Sequence, residues 1–172
     1  MNKPQIVTIG VYGFTATSFF AALQGAKVDT FCDIRRRRGV RGAEYAFANS
    51  QRLQQRLGEL GIRYLHQQDL APSNAVRTAQ YAVDQATKTA KRQRTQLSPA
   101  FVAAYDQECL AHFDPKQFLA DLPVDTQVIA FFCVEREPAA CHRSLLAHHL
   151  AQRFDLEIIH LLPDSSTVTT KT

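Results

Sequence analysis

Short apolar runs alternate along this chain with segments of helical spacing, and that alternation predicts its elements. The run through Ile6, Val7 and Ile9 predicts a strand over 5–10. A helix follows over 14–24, stopped by Gly25. A second apolar strand is predicted over 28–33, then a long basic loop over 34–49. Leu53, Leu57 and Leu60 share one helical face behind Ser50, a good N-cap, and Gly61 ends that helix. A short third strand covers 62–66, and 67–74, with Pro72, reads as loop. The polar stretch 75–94 predicts a helix with a basic C-terminal half. Ser98-Pro99 and Asp114-Pro115 each set an N-cap before a proline at the first helical position. Phe101, Val102, Tyr105 and Leu110 supply an apolar face after the first of them. The run Val128-Ile129-Ala130-Phe131-Phe132 belongs to a central strand over 127–133, followed by a helix over 144–154 and a last strand over 156–160. The Ser/Thr-rich tail, 163–172, has nothing to bury and is expected to be disordered.

Strands that alternate with helices predict an α/β fold with a mainly parallel sheet. No internal repeat and no linker breaks the pattern, so a single domain over 1–162 is expected. Its helical stretch 75–122 is an insertion between strands three and four, in position to cap the carboxyl edge of the sheet. At 172 residues the chain is long enough to bury a core. No segment approaches the roughly 20 apolar residues of a membrane span. Residues 1–10 lack the apolar stretch and cleavage site of a secretory signal. A cytoplasmic protein without a membrane partner is the expectation. The four cysteines make no disulfide framework in a chain of this length, and in a reducing compartment they read as free, catalytic or metal-bound. The net charge of +4 is mild, but its distribution is not. Arg35, Arg36, Arg37, Arg38 and Arg41 cluster in one segment, and Lys88, Lys91, Arg92 and Arg94 in another.

Reactive side chains crowd one strand-to-helix turn, Cys133 to Arg143. In open α/β sheets, ligand sites form at the carboxyl ends of strands, where helix N-termini also point. Cys133, Glu135, Cys141 and His142 are therefore candidate catalytic groups, with Arg143 as a binding group. The plainer alternative is a buried strand thiol and local ion pairs. Asp33 and Arg35 end the second strand two positions apart, on one face. They read either as an acid with a phosphate-binding base or as an ion pair. Arg36, Arg37 and Arg38, with Tyr45 and Phe47 behind them, suit phosphate contact and base stacking, or simply a solvated loop. Gly10 and Tyr12, in the turn after the first strand, allow close backbone approach to a ligand or just a tight turn. Soft ligands for a metal exist in Cys133, Cys141, His142 and Cys32. No Cys-x-x-Cys pair occurs, however, and neighbouring Cys141 and His142 are expected to project apart from a helix start, so no metal ligand is assigned and no cofactor is named. A phosphatase-type Cys-to-Arg loop, a P-loop and a Gly-x-Gly-x-x-Gly fingerprint are all missing.

From Thr8-Ile9-Gly10 through Asp33-Ile34-Arg35 and Gly61-Ile62-Arg63-Tyr64 to Cys133-Val134-Glu135 and Cys141-His142-Arg143, the chain resembles the bacterial and archaeal family catalogued as domain of unknown function 488. The resemblance covers most of residues 5–160 and implies a Rossmann-like α/β domain with a site shared by those motifs. It implies no reaction. Many relatives read Leu-Gly-Gly where this chain has Leu70-Ala71-Pro72. The residues point first to an enzyme acting on a phosphate-bearing ligand, a nucleotide or nucleic acid. A non-catalytic nucleic-acid-binding module is the alternative, and a thiol redox or metal-binding sensor the third reading.

Overall fold

The structure, a computed structural model, describes residues 3–164 and 167–170. Along the chain run β1 (Gln5–Ile9), α1 (Ala16–Gly25), β2 (Thr30–Asp33), α2 (Ser50–Glu59), β3 (Arg63–His66), α3 (Asn74–Ala86), α4 (Pro99–Glu108), α5 (Pro115–Asp121), β4 (Val128–Phe132), α6 (His142–Phe154), β5 (Ile158–Leu161) and β6 (Thr167–Thr170). The strands form one sheet in the order β3-β2-β4-β1-β5-β6. Five strands are parallel, and β6 pairs antiparallel with β5 at the edge. The class is α/β with a mainly parallel sheet, as the pattern predicts, and Rossmann-like, as the resemblance implies.

Every residue of β4 is buried, because helices cover both faces of the middle of the sheet. A strand covered on both sides reads as a continuous apolar run rather than an alternation. On one face, Phe19, Phe20 and Leu23 of α1 and Leu53 and Leu57 of α2 pack on Val7, Ile9, Phe31 and Phe132. On the other, Phe101, Tyr105, Phe118, Leu146 and Leu150 from α4, α5 and α6 pack on Ile6, Ile129, Phe131 and Ile158. The chain moves outward from β1 to β2 and β3, then returns to place β4 between β2 and β1 and leaves on the far side through β5. Right-handed crossovers in opposite directions put α1 and α2 on one face and α6 on the other. The reversal lies at β1 and β4, and a crevice opens outside the carboxyl ends of strands at such a reversal.

Several local expectations change. Strand β6 stands where a disordered tail is expected, since Thr167–Thr170 pair with β5 along its free edge; positions 165, 166, 171 and 172 of that tail lie outside the described residues. Helix α3 ends at Ala86 rather than at Arg94: Lys88 turns the chain with φ +54°, and Arg94 folds back to ion-pair with Asp84. Helix α2 begins at Ser50 with Asn49 as its N-cap, and the Asn49 side chain instead accepts from the Val40 N–H at 2.7 Å. The loop after β2 contains a 3-10 turn, Ala43–Ala48. Among the described residues no helix is long and apolar enough to cross a membrane.

Candidate functional site

Three loops leave the carboxyl edge of the sheet at the reversal: one after β1, one after β2 and one after β4. The β1 loop is held against the β4 loop by Val11 and Tyr12, whose N–H groups both donate to Val134 O at 3.0 and 3.1 Å. Gly10 makes this possible, because a Cβ there would stand 1.9 Å from Glu135 O. The glycine thus serves a close approach of the chain to itself. The β4 loop then makes a 3-10 turn, Pro138–Ala140, which returns Cys141 to the neighbourhood of Cys133.

A cleft of about 630 Å³ opens above these loops. Cys133, Glu135, Cys141 and His142 lie in it with Tyr12, Arg35 and Arg37. The side chains that sequence reasoning leaves out of the site are Arg77, Tyr81, Lys91, Arg92 and Arg94. Arg94 and Lys91 reach Glu135 Oε1 at 3.6 and 3.5 Å. The basic cluster around them is visible in the sequence, but joining it to the site requires the chain to turn back after Ala86.

The floor of the cleft is a tight cluster. Cys133 Sγ lies 3.4 Å from Glu135 Oε2 and 3.9 Å from His142 Nδ1, and Cys141 Sγ lies 3.8 Å from that same nitrogen. Cys141 and His142 therefore converge, contrary to expectation. The reason is local: Cys141 is the extended N-cap of α6, at φ −139° and ψ 142°, so its side chain does not follow the helical spiral that starts at His142. His142 Nε2 donates to Ile34 O at 3.1 Å, and its ring meets that of Tyr105 edge to face at 5.4 Å between centres. Burial pushes the Glu135 carboxyl above the usual carboxylate range, and the neighbouring Cys141 adds to the rise. A hydrogen bond to Cys141, then burial, pushes the Cys133 thiol up. For Cys141 burial works against ionisation, but the hydrogen bond from Cys133, the neighbouring His142 ring and the positive charge of Arg143 outweigh it and hold that thiol well below its ordinary value.

Asp33 and Arg143 stand beside the cleft without lining it. Asp33 is fully buried and saturated: Arg35 donates to it from N, Nε and Nη2 at 3.1, 2.9 and 2.8 Å, and Tyr64 Oη at 2.8 Å. It orients Arg35, whose Nη1 donates to Ala48 O at 3.0 Å and whose guanidinium stacks 4.5 Å over Phe132. Arg143 is fully buried as well, and donates from Nη1 to Glu135 O at 2.6 Å and from Nη2 to Arg136 O at 3.0 Å. Its role is to brace the β4 loop. Within the arginine loop the residues divide. Arg37 and Arg41 face the cleft, whereas Arg36 donates to Pro72 O and Arg38 to Tyr64 Oη. At the rim, Tyr12 and Tyr45 meet edge to face, and the Arg92 guanidinium lies 5.2 and 5.1 Å from their ring centres.

A family model matches residues 15–150, from the start of α1 through most of α6, and carries the description Domain of unknown function DUF488. The chain belongs to that family. Comparison with curated proteins and with solved structures gave no match. The span shared with DUF488 includes Asp33, the arginine loop, both cleft thiols, Glu135 and His142, whereas Gly10 and Tyr12 precede it.

Proposed function

We propose that the cleft is the active site of an enzyme acting on a phosphate-bearing ligand, a nucleotide or a nucleic acid. The observation that carries this reading is the charge of the cleft. Arg37, Arg41, Arg77, Lys91, Arg92 and Arg94 line it, against the carboxylate of Glu135 in the lining and those of Asp84 and Glu44 behind it, which pair with Arg94 and Arg92. Guanidinium groups in such number match phosphate oxygens in geometry as well as charge. The Tyr12–Tyr45–Arg92 cluster at the rim offers planar surfaces on which a base can stack. Glu135 is the group for proton transfer, set between the cations and the thiols at the floor. The four free thiols fit a reducing, cytoplasmic setting.

The test is fluorescence anisotropy with a labelled single-stranded oligonucleotide and with a labelled nucleotide, across a salt titration. Arg37→Ala, Arg41→Ala and Arg77→Ala are expected to weaken binding and to flatten the salt slope for the oligonucleotide by about 0.7 per lost contact. Products are followed by mass spectrometry over a panel of nucleotides and oligonucleotides, with Glu135→Gln expected to bind and not convert. Failure of the parent protein to bind either probe removes the reading. Binding centred on the rim aromatics, with no conversion by the parent, favours the nucleic-acid-binding module instead, for which the Tyr12–Tyr45–Arg92 cluster is the specific support.

A further inference from the structure

Cys133, Cys141 and His142 each turn one ligand atom to a common point. The two sulfurs and Nδ1 all lie within 4.8 Å of one another, and among the described residues this is the group of thiol, imidazole and carboxylate side chains so placed. The two sulfur–nitrogen distances are 3.9 and 3.8 Å. In a tetrahedral zinc site, with Zn–S about 2.3 Å and Zn–N about 2.0–2.1 Å, the corresponding edge is about 3.6 Å. For these two sulfur–nitrogen edges, side-chain shifts of a few tenths of an ångström would close the difference.

The imidazole supplies a second, independent observation. Ile34 O is a carbonyl and accepts only, so the hydrogen of the neutral ring sits on Nε2. Nδ1 is then the unprotonated nitrogen, and its lone pair faces both sulfurs. A ring N–H held by a backbone carbonyl is the outer-shell arrangement that fixes the tautomer of a metal-bound histidine. The hydrogen bond from His142 to the residue after Asp33 also fixes the ring to the neighbouring strand end.

We infer that Cys133, Cys141 and His142 bind a thiophilic divalent metal ion, Zn²⁺ being the best match, with a fourth position open to the cleft. Two sulfur ligands and an imidazole select zinc over magnesium or calcium. Three protein ligands and an open position are the pattern of a reactive zinc rather than a purely structural one. All three residues line the cleft, which gives water or a ligand access to that position. Glu135 stands beside the trio, with Oε2 3.4 Å from Cys133 Sγ and Oε1 turned to Lys91 and Arg94. The two thiolates balance the charge of the ion, so the arginines around it keep their net positive field for an anion. Spacing concealed this site: the ligands fall in a Cys-x7-Cys-His pattern, and the turn Pro138–Ala140 brings its ends together.

The experiment uses the reduced, full-length protein with no nucleotide present, so its outcome is separate from that of the phosphate-binding reading. Metal content after purification is measured by plasma mass spectrometry, and Zn²⁺ affinity by competition with a chromophoric chelator. Co²⁺ replaces Zn²⁺ to report ligand type. One ion per chain is expected, with thiolate-to-cobalt charge-transfer absorption and the intense visible bands of a tetrahedral site. His142→Gln, Cys133→Ser and Cys141→Ser should each lose more than the roughly 10–100-fold in affinity that loss of an outer-shell partner costs, whereas Cys109→Ser should match the parent. Should the cysteine variants fail to fold, the parent protein still decides: Zn²⁺ should protect Cys133 and Cys141 from alkylation, and a chelator should restore their labelling. Absence of stoichiometric binding, equal loss in Cys109→Ser, no protection of either thiol, or a Cys133–Cys141 disulfide that persists in reductant with Zn²⁺ present would overturn the site.

Discussion

Single residues in this site do different work from what their chemistry advertises. Arg143 looks like a phosphate-binding group at a helix start, yet it has no exposed surface, its Nη1 and Nη2 donate to the carbonyls of Glu135 and Arg136, and its Nε is buried without a partner. Gly10 packs against the same Glu135 carbonyl. Between them the two residues fix the backbone that carries the one carboxylate of the cleft. Arg143→Met keeps much of the side-chain volume but leaves two carbonyls without these donors, and an unsatisfied buried acceptor costs about 1–3 kcal/mol. Losing the buried charge offsets part of this. We expect a net loss on the order of 2 kcal/mol, read as a lower urea midpoint at unchanged m-value. Arg37→Ala, at an exposed position in the cleft, should leave the midpoint where it is and weaken anion binding. The reverse pattern, a stable Arg143→Met that fails to bind, would make Arg143 a ligand-contacting group after all.

At the level of elements, the chain announces what local rules govern and hides what tertiary contacts decide. Ser98 and Asp114 cap α4 and α5 as their sequences predict, each ahead of a proline. The apolar run of β4 is legible because burial on both faces demands it. The end of α3 is not, because no glycine or proline marks it. A lysine takes the left-handed turn at φ +54°, and the turn is held from outside by Arg94 on Asp84 and by the Ser98 N–H donating to Gln80 Oε1 at 2.7 Å. Strand β6 escapes for a related reason: an edge strand of Thr and Val offers no apolar periodicity, and its pairing is a property of β5. Lys88→Gly tests the turn. A left-handed L-residue costs roughly 1–2 kcal/mol, and glycine returns about half of that as added entropy of the unfolded chain. A gain of about 0.5–1 kcal/mol is expected, seen as a higher melting temperature. A lower one would mean that Lys88 does not hold this conformation in solution.

Across the whole molecule, the site is legible to the extent that a parallel sheet sends its strand ends to one edge. Cys133, Glu135 and Arg35 meet there because β4 and β2 are neighbours. What the sequence withholds is which side chains the packing consumes. Asp33 is consumed by Arg35 and Tyr64, Arg36 and Arg38 lean on loop carbonyls and a tyrosine, and Lys91, Arg92 and Arg94 arrive from a distant segment. The same packing sets how the fold answers to acid. His160 lies in β5 with its Nδ1 2.7 Å from Thr8 Oγ1 of β1. Burial first, then the positive charge of Arg143 and His148, lowers its pKa from 6.5 to about 4. A base whose folded pKa is depressed leaves the unfolded chain binding more protons between the two values, so stability rises with pH across that window. This contribution is therefore fully present above about 6.5 and is lost as pH falls toward about 4. Carboxylates titrate at the acid end too, so the group is isolated by comparison. His160→Gln retains a polar partner for Thr8 but does not titrate, and its unfolding free energy from urea melts should fall less steeply than the parent's between pH 6.5 and 4. Parallel curves for the two proteins would show that His160 takes up its proton in the folded sheet as readily as in the open chain.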